Sequence, residues 1–91
     1  MTEKEEIKLF RIINEQIKEN KTVLVIVDPM SFNDPSEVLS IMRKNRNFPR
    51  RIKIRRLLNL NEEWIHLSDV KYAYNVDGVE LYERKVNDHD Q

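Results

Sequence analysis

The segment Val23-Leu24-Val25-Ile26-Val27 constrains the fold of this chain more than any other stretch. It is the longest unbroken apolar run, mostly β-branched, and it falls far short of the roughly 20 residues needed to span a bilayer. Such a run reads as a strand. Because it is apolar on both sides, it is expected to be covered on both faces and to lie inside a sheet rather than at its edge. Neighbouring segments must therefore provide partner strands and cover.

On the N-terminal side, Thr2 and Glu5 have the spacing of a capping box, and Ile7, Leu9, Phe10, Ile12, Ile13 and Ile17 fall on one broad face at helical periodicity. A helix is expected over residues 3–20, ending at Asn20-Lys21. Downstream, Asp34-Pro35-Ser36-Glu37 has the form of an N-cap, a proline at the first helical position and a glutamate three residues after the cap. This predicts a second helix burying Val38, Leu39, Ile41 and Met42 and ending at Phe48-Pro49. From Arg50 to Leu58 the pattern alternates, with Ile52 and Ile54 on one side and Arg51, Lys53 and Arg55 on the other. That reads as a second strand, completing a right-handed βαβ crossover.

Asn59 to Glu63 reads as a turn. Trp64 to Val70 is expected to form a short helix, the alternative being a strand Trp64 to Leu67 with a turn at Ser68-Asp69. Asp77-Gly78 contains the only glycine and signals a two-residue type I′ hairpin. Pairing about it sets Val76 opposite Val79, Tyr74 opposite Leu81 and Tyr72 opposite Glu83. Val70, Tyr72, Tyr74, Val76, Val79 and Leu81 then share the core face, with Ala73 and Tyr82 on the other. Together these elements predict an α/β or α+β fold: an N-terminal helix, a βαβ unit and a C-terminal β-hairpin, forming a mixed sheet of about four strands.

At 91 residues and 40% hydrophobic, the chain has material for one core, so residues 1–86 are expected to form one compact domain and 87–91 a flexible tail. There is no cysteine, which removes disulfides, thiolate nucleophiles and cysteine-based metal sites. The first residues have neither the basic nor the apolar region of a secretory signal, and the expectation is a cytoplasmic protein.

Charge is distributed unevenly. The net charge is zero, yet eight cations and no acid lie between positions 43 and 56: Arg43, Lys44, Arg46, Arg50, Arg51, Lys53, Arg55 and Arg56. Residues 1–42 carry five Lys or Arg against eight Asp or Glu, and residues 57–91 carry three against eight. A basic segment between acidic arms either meets an anionic partner or is neutralised by those arms, with Glu62, Glu63, Glu80 and Glu83 the expected internal partners.

On a strand, Arg51, Lys53 and Arg55 form a straight row that can follow a phosphodiester backbone. The first expectation is a small non-enzymatic protein that binds DNA or RNA through backbone phosphates on these eight residues. The alternative is a protein-interaction or inhibitory accessory module whose charged faces meet an acidic protein partner. Phe48 and Tyr82 are the aromatics expected to be exposed for base stacking, while Trp64 reads as a core anchor.

No other motif competes. One glycine excludes both common phosphate loops, and there is no zinc-finger spacing. No cofactor is expected. A metal-dependent enzyme would have to rest on Asp28, at the end of the apolar strand, with Asp34 beside it. His66 reads as structural, and His89 lies in the tail. The first helix has a polar face of mixed sign, which argues against a membrane role. Apolar surface on it beyond what the sheet covers would be a homodimer seam.

Overall fold

In a computed structural model of the chain, residues 1–28 and 34–84 are described. One helix, α1 (Glu3–Lys18), precedes six strands: β1 (Val23–Val27), β2 (Ser36–Met42), β3 (Arg51–Arg56), β4 (Glu62–His66), β5 (Val70–Asn75) and β6 (Glu80–Glu83). A single 3-10 turn, Leu67–Asp69, joins β4 to β5. The strands form one sheet in the order β4-β3-β2-β1-β5-β6, and every neighbouring pair is antiparallel.

The helix forms as its sequence dictates. Thr2 Oγ1 accepts from the Glu5 amide at 3.1 Å, and three glutamates in the first turn oppose the positive end of the helix dipole. Asn20 takes a left-handed φ of 59°. Its amide donates to the Ile17 carbonyl and the Lys21 amide to the Gln16 carbonyl, the paired bonds of a Schellman ending. Leu9 and Ile13 are fully buried against the sheet.

The βαβ unit and the mixed sheet of about four strands are not found. Ser36–Met42 is strand β2, paired with β1 and β3. A bulge between Val38 and Ser40 explains the misleading signal. The extra residue places Val38 opposite Ile54 and Ile41 opposite Ile52, so two core-facing side chains stand three positions apart, a helical spacing produced by a bulged strand. Trp64 is also in a strand rather than a short helix, and its neighbours Leu67–Asp69 make the 3-10 turn.

With the second helix replaced by a strand, no described element is left to cover the other side of β1. Val23, Val25 and Val27 are buried under α1, whereas Leu24 and Ile26 are only half-buried. The expectation of cover on both faces fails, although β1 does lie inside the sheet.

In the C-terminal hairpin Val70 is buried and Leu81 packs against the core as expected, but from Tyr72 to Val79 the facing is opposite to that expected. Ala73 and Tyr82 are buried at 0% and 7% exposure, while Tyr72 and Tyr74 stand half-exposed on the open face and Val76 and Val79 sit exposed in the turn. Tyr72 does pair with Glu83, but Tyr74 pairs with Glu80 because the register shifts between Ala73 and Tyr74. The turn is not type I′. Among the described residues only Asn20, Leu60 and Gly78 have positive φ, so Asp77 does not. The Gly78 amide instead donates to the Asn75 carbonyl, and Asn75 Oδ1 accepts from the amides of Asp77 and Val79. Gly78, at φ 82°, is the left-handed residue that closes this longer loop.

Candidate functional site

Alternation along β3 separates the basic segment into two populations. Ile52 and Ile54 are fully buried beneath the helix, which sends Arg51, Lys53 and Arg55 to the open face, as the two-residue period predicts. Arg50 and Lys44 are directed to the helix side instead. Arg50 bonds Glu3 at 3.0 Å and Glu6 at 3.3 Å, and Lys44 lies 3.6 Å from Glu3. The eight cations are therefore not one surface.

Most of them already meet a carboxylate. Arg55 sits between two strand neighbours, Glu37 and Glu62, and binds Glu37 at 2.9 Å. This hydrogen bond, with the Coulombic attraction of Glu37, raises the pKa of Arg55. Lys53 reaches Glu62 at 3.3 Å and Arg56 reaches Glu63 at 2.9 Å. Glu3 titrates below the usual carboxylate range chiefly because Arg50 donates to it. Of the four expected partners Glu62 and Glu63 are thus in place, Glu80 and Glu83 sit on β6 at the far edge of the sheet with no ion pair among the described residues, and Glu3, Glu6 and Glu37 join instead. The latter three precede the basic segment in sequence, and only the antiparallel pairing and the docking of α1 bring them to it.

Arg51 is different. Its guanidinium carbon lies 4.5 Å from the centre of the Phe48 ring and 5.4 Å from Trp64, and Nη2 approaches Met42 Sδ at 3.4 Å. It has no carboxylate partner among the described residues, and its Nε is buried without an acceptor. Asn45 sets up this arrangement. Its Oδ1 accepts from the amides of Asn47 and Phe48 at 2.8 and 2.9 Å, folding the β2–β3 connection so that Phe48 stands over Arg51. Trp64, opposite Lys53 on β4, is 41% exposed rather than a core anchor. Arg46 is exposed and has no ion pair among the described residues.

The open face thus runs from Trp64, the cations and Glu62 and Glu37, across Leu24 and Ile26, to Tyr72 and Tyr74 with Glu80 and Glu83. The two tyrosine rings stack at 6.1 Å and 25°. Sequence periodicity placed these tyrosines in the core, so the aromatic half of the face was missed.

Asp28 does not present a free carboxylate. Arg84 donates to it, Lys71 lies 3.8 Å away, and the bond from Arg84 is the main cause of its lowered pKa. Among the described residues no group of three or more His, Asp or Glu is placed to hold a metal ion, and no helix is long and apolar enough to cross a membrane. His66 is exposed opposite Arg51. His89 and the tail lie outside the described residues. Comparisons of the chain with protein-family models, curated proteins and solved structures found no match.

Proposed function

We propose that the chain is a non-catalytic protein-interaction module whose contact surface is the open face of the sheet, and that a second copy of the chain occupies it. The observation that carries this reading is that one helix covers one side of a six-stranded sheet, while Leu24, Ile26, Tyr72 and Tyr74 remain half-exposed on the other. Five inter-strand spacings of about 4.8 Å make this face roughly 24 Å wide.

Its chemistry is graded across the strands. Arg51, Lys53 and Arg55 lie on one side of the Leu24–Ile26 stripe, and Tyr72, Tyr74, Glu80 and Glu83 on the other. A two-fold axis parallel to the strands, between β2 and β1, sets β3 over β5 and β4 over β6, twice over, and brings Arg55 opposite Tyr74, which shares its row across the sheet. The Leu24–Ile26 stripe of each copy then lies beside the axis over β2 of the other, and a cation meets an aromatic face on either side.

Sedimentation velocity over a concentration series tests it. Reversible dimerisation in the micromolar range is expected, with Ile26→Glu monomeric and still folded by circular dichroism. A wild-type chain that stays monomeric at several hundred micromolar overturns the reading.

One observation favours nucleic acid as a second reading. Arg51, with no carboxylate partner among the described residues, lies against the exposed rings of Phe48 and Trp64, an arrangement suited to stacking unpaired bases beside a phosphate. It requires a labelled single-stranded oligonucleotide to bind with affinity that falls steeply with salt and depends on Arg51 and Trp64. Retention without salt dependence, or none at low salt, rejects it.

A further inference from the structure

A second basic site lies away from the open face, where α1 meets the β2–β3 connection. A pocket of about 420 Å³ is lined there by Phe10, Arg11 and Asn14 from the helix and by Arg43, Lys44 and Arg50 from the connection. Ile7 completes its apolar wall. The volume falls in the range of small-molecule sites, which is roughly 300–1,000 Å³.

The charge balance at this pocket is specific. Glu3 and Glu6 engage Lys44 and Arg50 without lining the cavity. Arg11 and Arg43 have no carboxylate partner among the described residues; Arg43 instead lies over the Phe10 ring at 5.7 Å. Four cations against two carboxylates leave an excess of two positive charges beside an aromatic wall. A phosphate monoester carries about −1.5 to −2 at neutral pH and presents three acceptor oxygens. Arginine forks pair with such a group bidentately, whereas a single carboxylate would neutralise half the excess.

The geometry points to a binding site for a small phosphate monoester with a flat or apolar body: the phosphate is held by Arg11, Arg43 and Lys44, the body rests against Phe10 and Ile7, and Asn14 supplies a side-chain amide. This site goes beyond the open-face reading and does not depend on it. Its sequence signal was divided: Arg43, Lys44 and Arg50 belong to the basic segment, but Arg11 lies on a helix more than thirty residues earlier.

Phenyl phosphate is the probe, titrated by calorimetry and by amide chemical shifts at moderate salt, with benzoate as the singly charged comparison. Saturable binding about tenfold tighter than that of benzoate is expected, with shifts centred on Phe10, Arg11 and Arg43. Arg11→Ala and Arg43→Ala should each weaken it by about fivefold or more, because each removes a charge-assisted contact. Arg46→Ala, outside the pocket, should leave it unchanged. Neither Arg11 nor Arg43 anchors an ion pair among the described residues, so Arg11→Ala should keep the wild-type melting temperature and Arg43→Ala, which loses only its contact with the Phe10 ring, should lower it slightly. Absence of saturable binding, benzoate binding as tightly as phenyl phosphate, or equal weakening by Arg46→Ala overturns the proposal. Oligomeric state is read separately by sedimentation, so failure here and failure of the dimer are distinguishable.

Discussion

On the helix side of β3, Ile52 and Ile54 have no solvent exposure, whereas on the other side of the same strand the side chains of Lys53 and Arg55 keep 37% and 38% of theirs. The covered face is closed by hydrocarbon, with Ser36 its one buried polar residue among those described. The open face is a mosaic in which carboxylates from neighbouring strands take up much of the cationic charge, separated by a half-buried apolar stripe. The contrast shows what a basic run in sequence can hide. A concentration of positive charge in one segment becomes a cationic surface only if the fold keeps acids away from it, and here antiparallel pairing sets Glu37 and Glu62 on either side of Arg55.

The largest difference between the two faces is expected in the core. Ile52→Ala, which leaves a cavity under the helix, should destabilise the fold by about 2–5 kcal/mol, whereas Ile26→Ala on the open face should cost the monomer much less. Denaturant melts of the two variants at low protein concentration measure the difference, and equal losses would mean that the faces are not distinct.

Tyr82 gives a second contrast. Burial pushes its phenol up to about 12, with the nearby Glu5 carboxylate adding to the shift. A group whose folded pKa lies above its unfolded value stabilises fully below the unfolded value and loses that contribution as pH rises through the folded one. Stability should therefore fall between about pH 10 and pH 12, and Tyr82→Phe should flatten that fall. Phenolate absorbance should lose its highest-pH step in the same variant.

Removing the helix cap probes the cover itself. Thr2→Ala should cost about 1 kcal/mol in thermal or denaturant melts, because the Glu5 amide loses its acceptor. The smallest effect is expected on the open face: Glu37→Gln should change stability by less than about 1 kcal/mol, since the pair with Arg55 is partly in water. A larger loss would mean that Arg55 depends on Glu37 far more than its exposure implies.

Where local chemistry acts alone, the sequence could be read directly. The cap at Thr2, the end at Asn20-Lys21 and the alternation of β3 were all legible. Long-range register was not. Asp34-Pro35-Ser36-Glu37 fits a helix start, and a β-bulge gives Val38 and Ile41 a helical spacing, so nothing within that segment distinguishes helix from bulged strand. In the hairpin, exposed Val76 and Val79 suggested the wrong face. The helix side takes Ala73, the smallest apolar side chain of the core, while both tyrosines stay on the open face. For the candidate surfaces, the cations were legible by type and number, and so were two of their partners, Glu62 and Glu63; Glu3, Glu6 and Glu37 were not, because they approach the cations only through folding.

Hydroxyl-radical footprinting across a protein concentration series tests most directly whether the open face is the contact surface. From low micromolar to several hundred micromolar, reactivity at Tyr72, Tyr74 and Trp64 should fall, with Tyr82 protected throughout. Reactivity at Tyr72 and Tyr74 that stays constant while the protein self-associates, or protection centred on the outer side of α1, would contradict it.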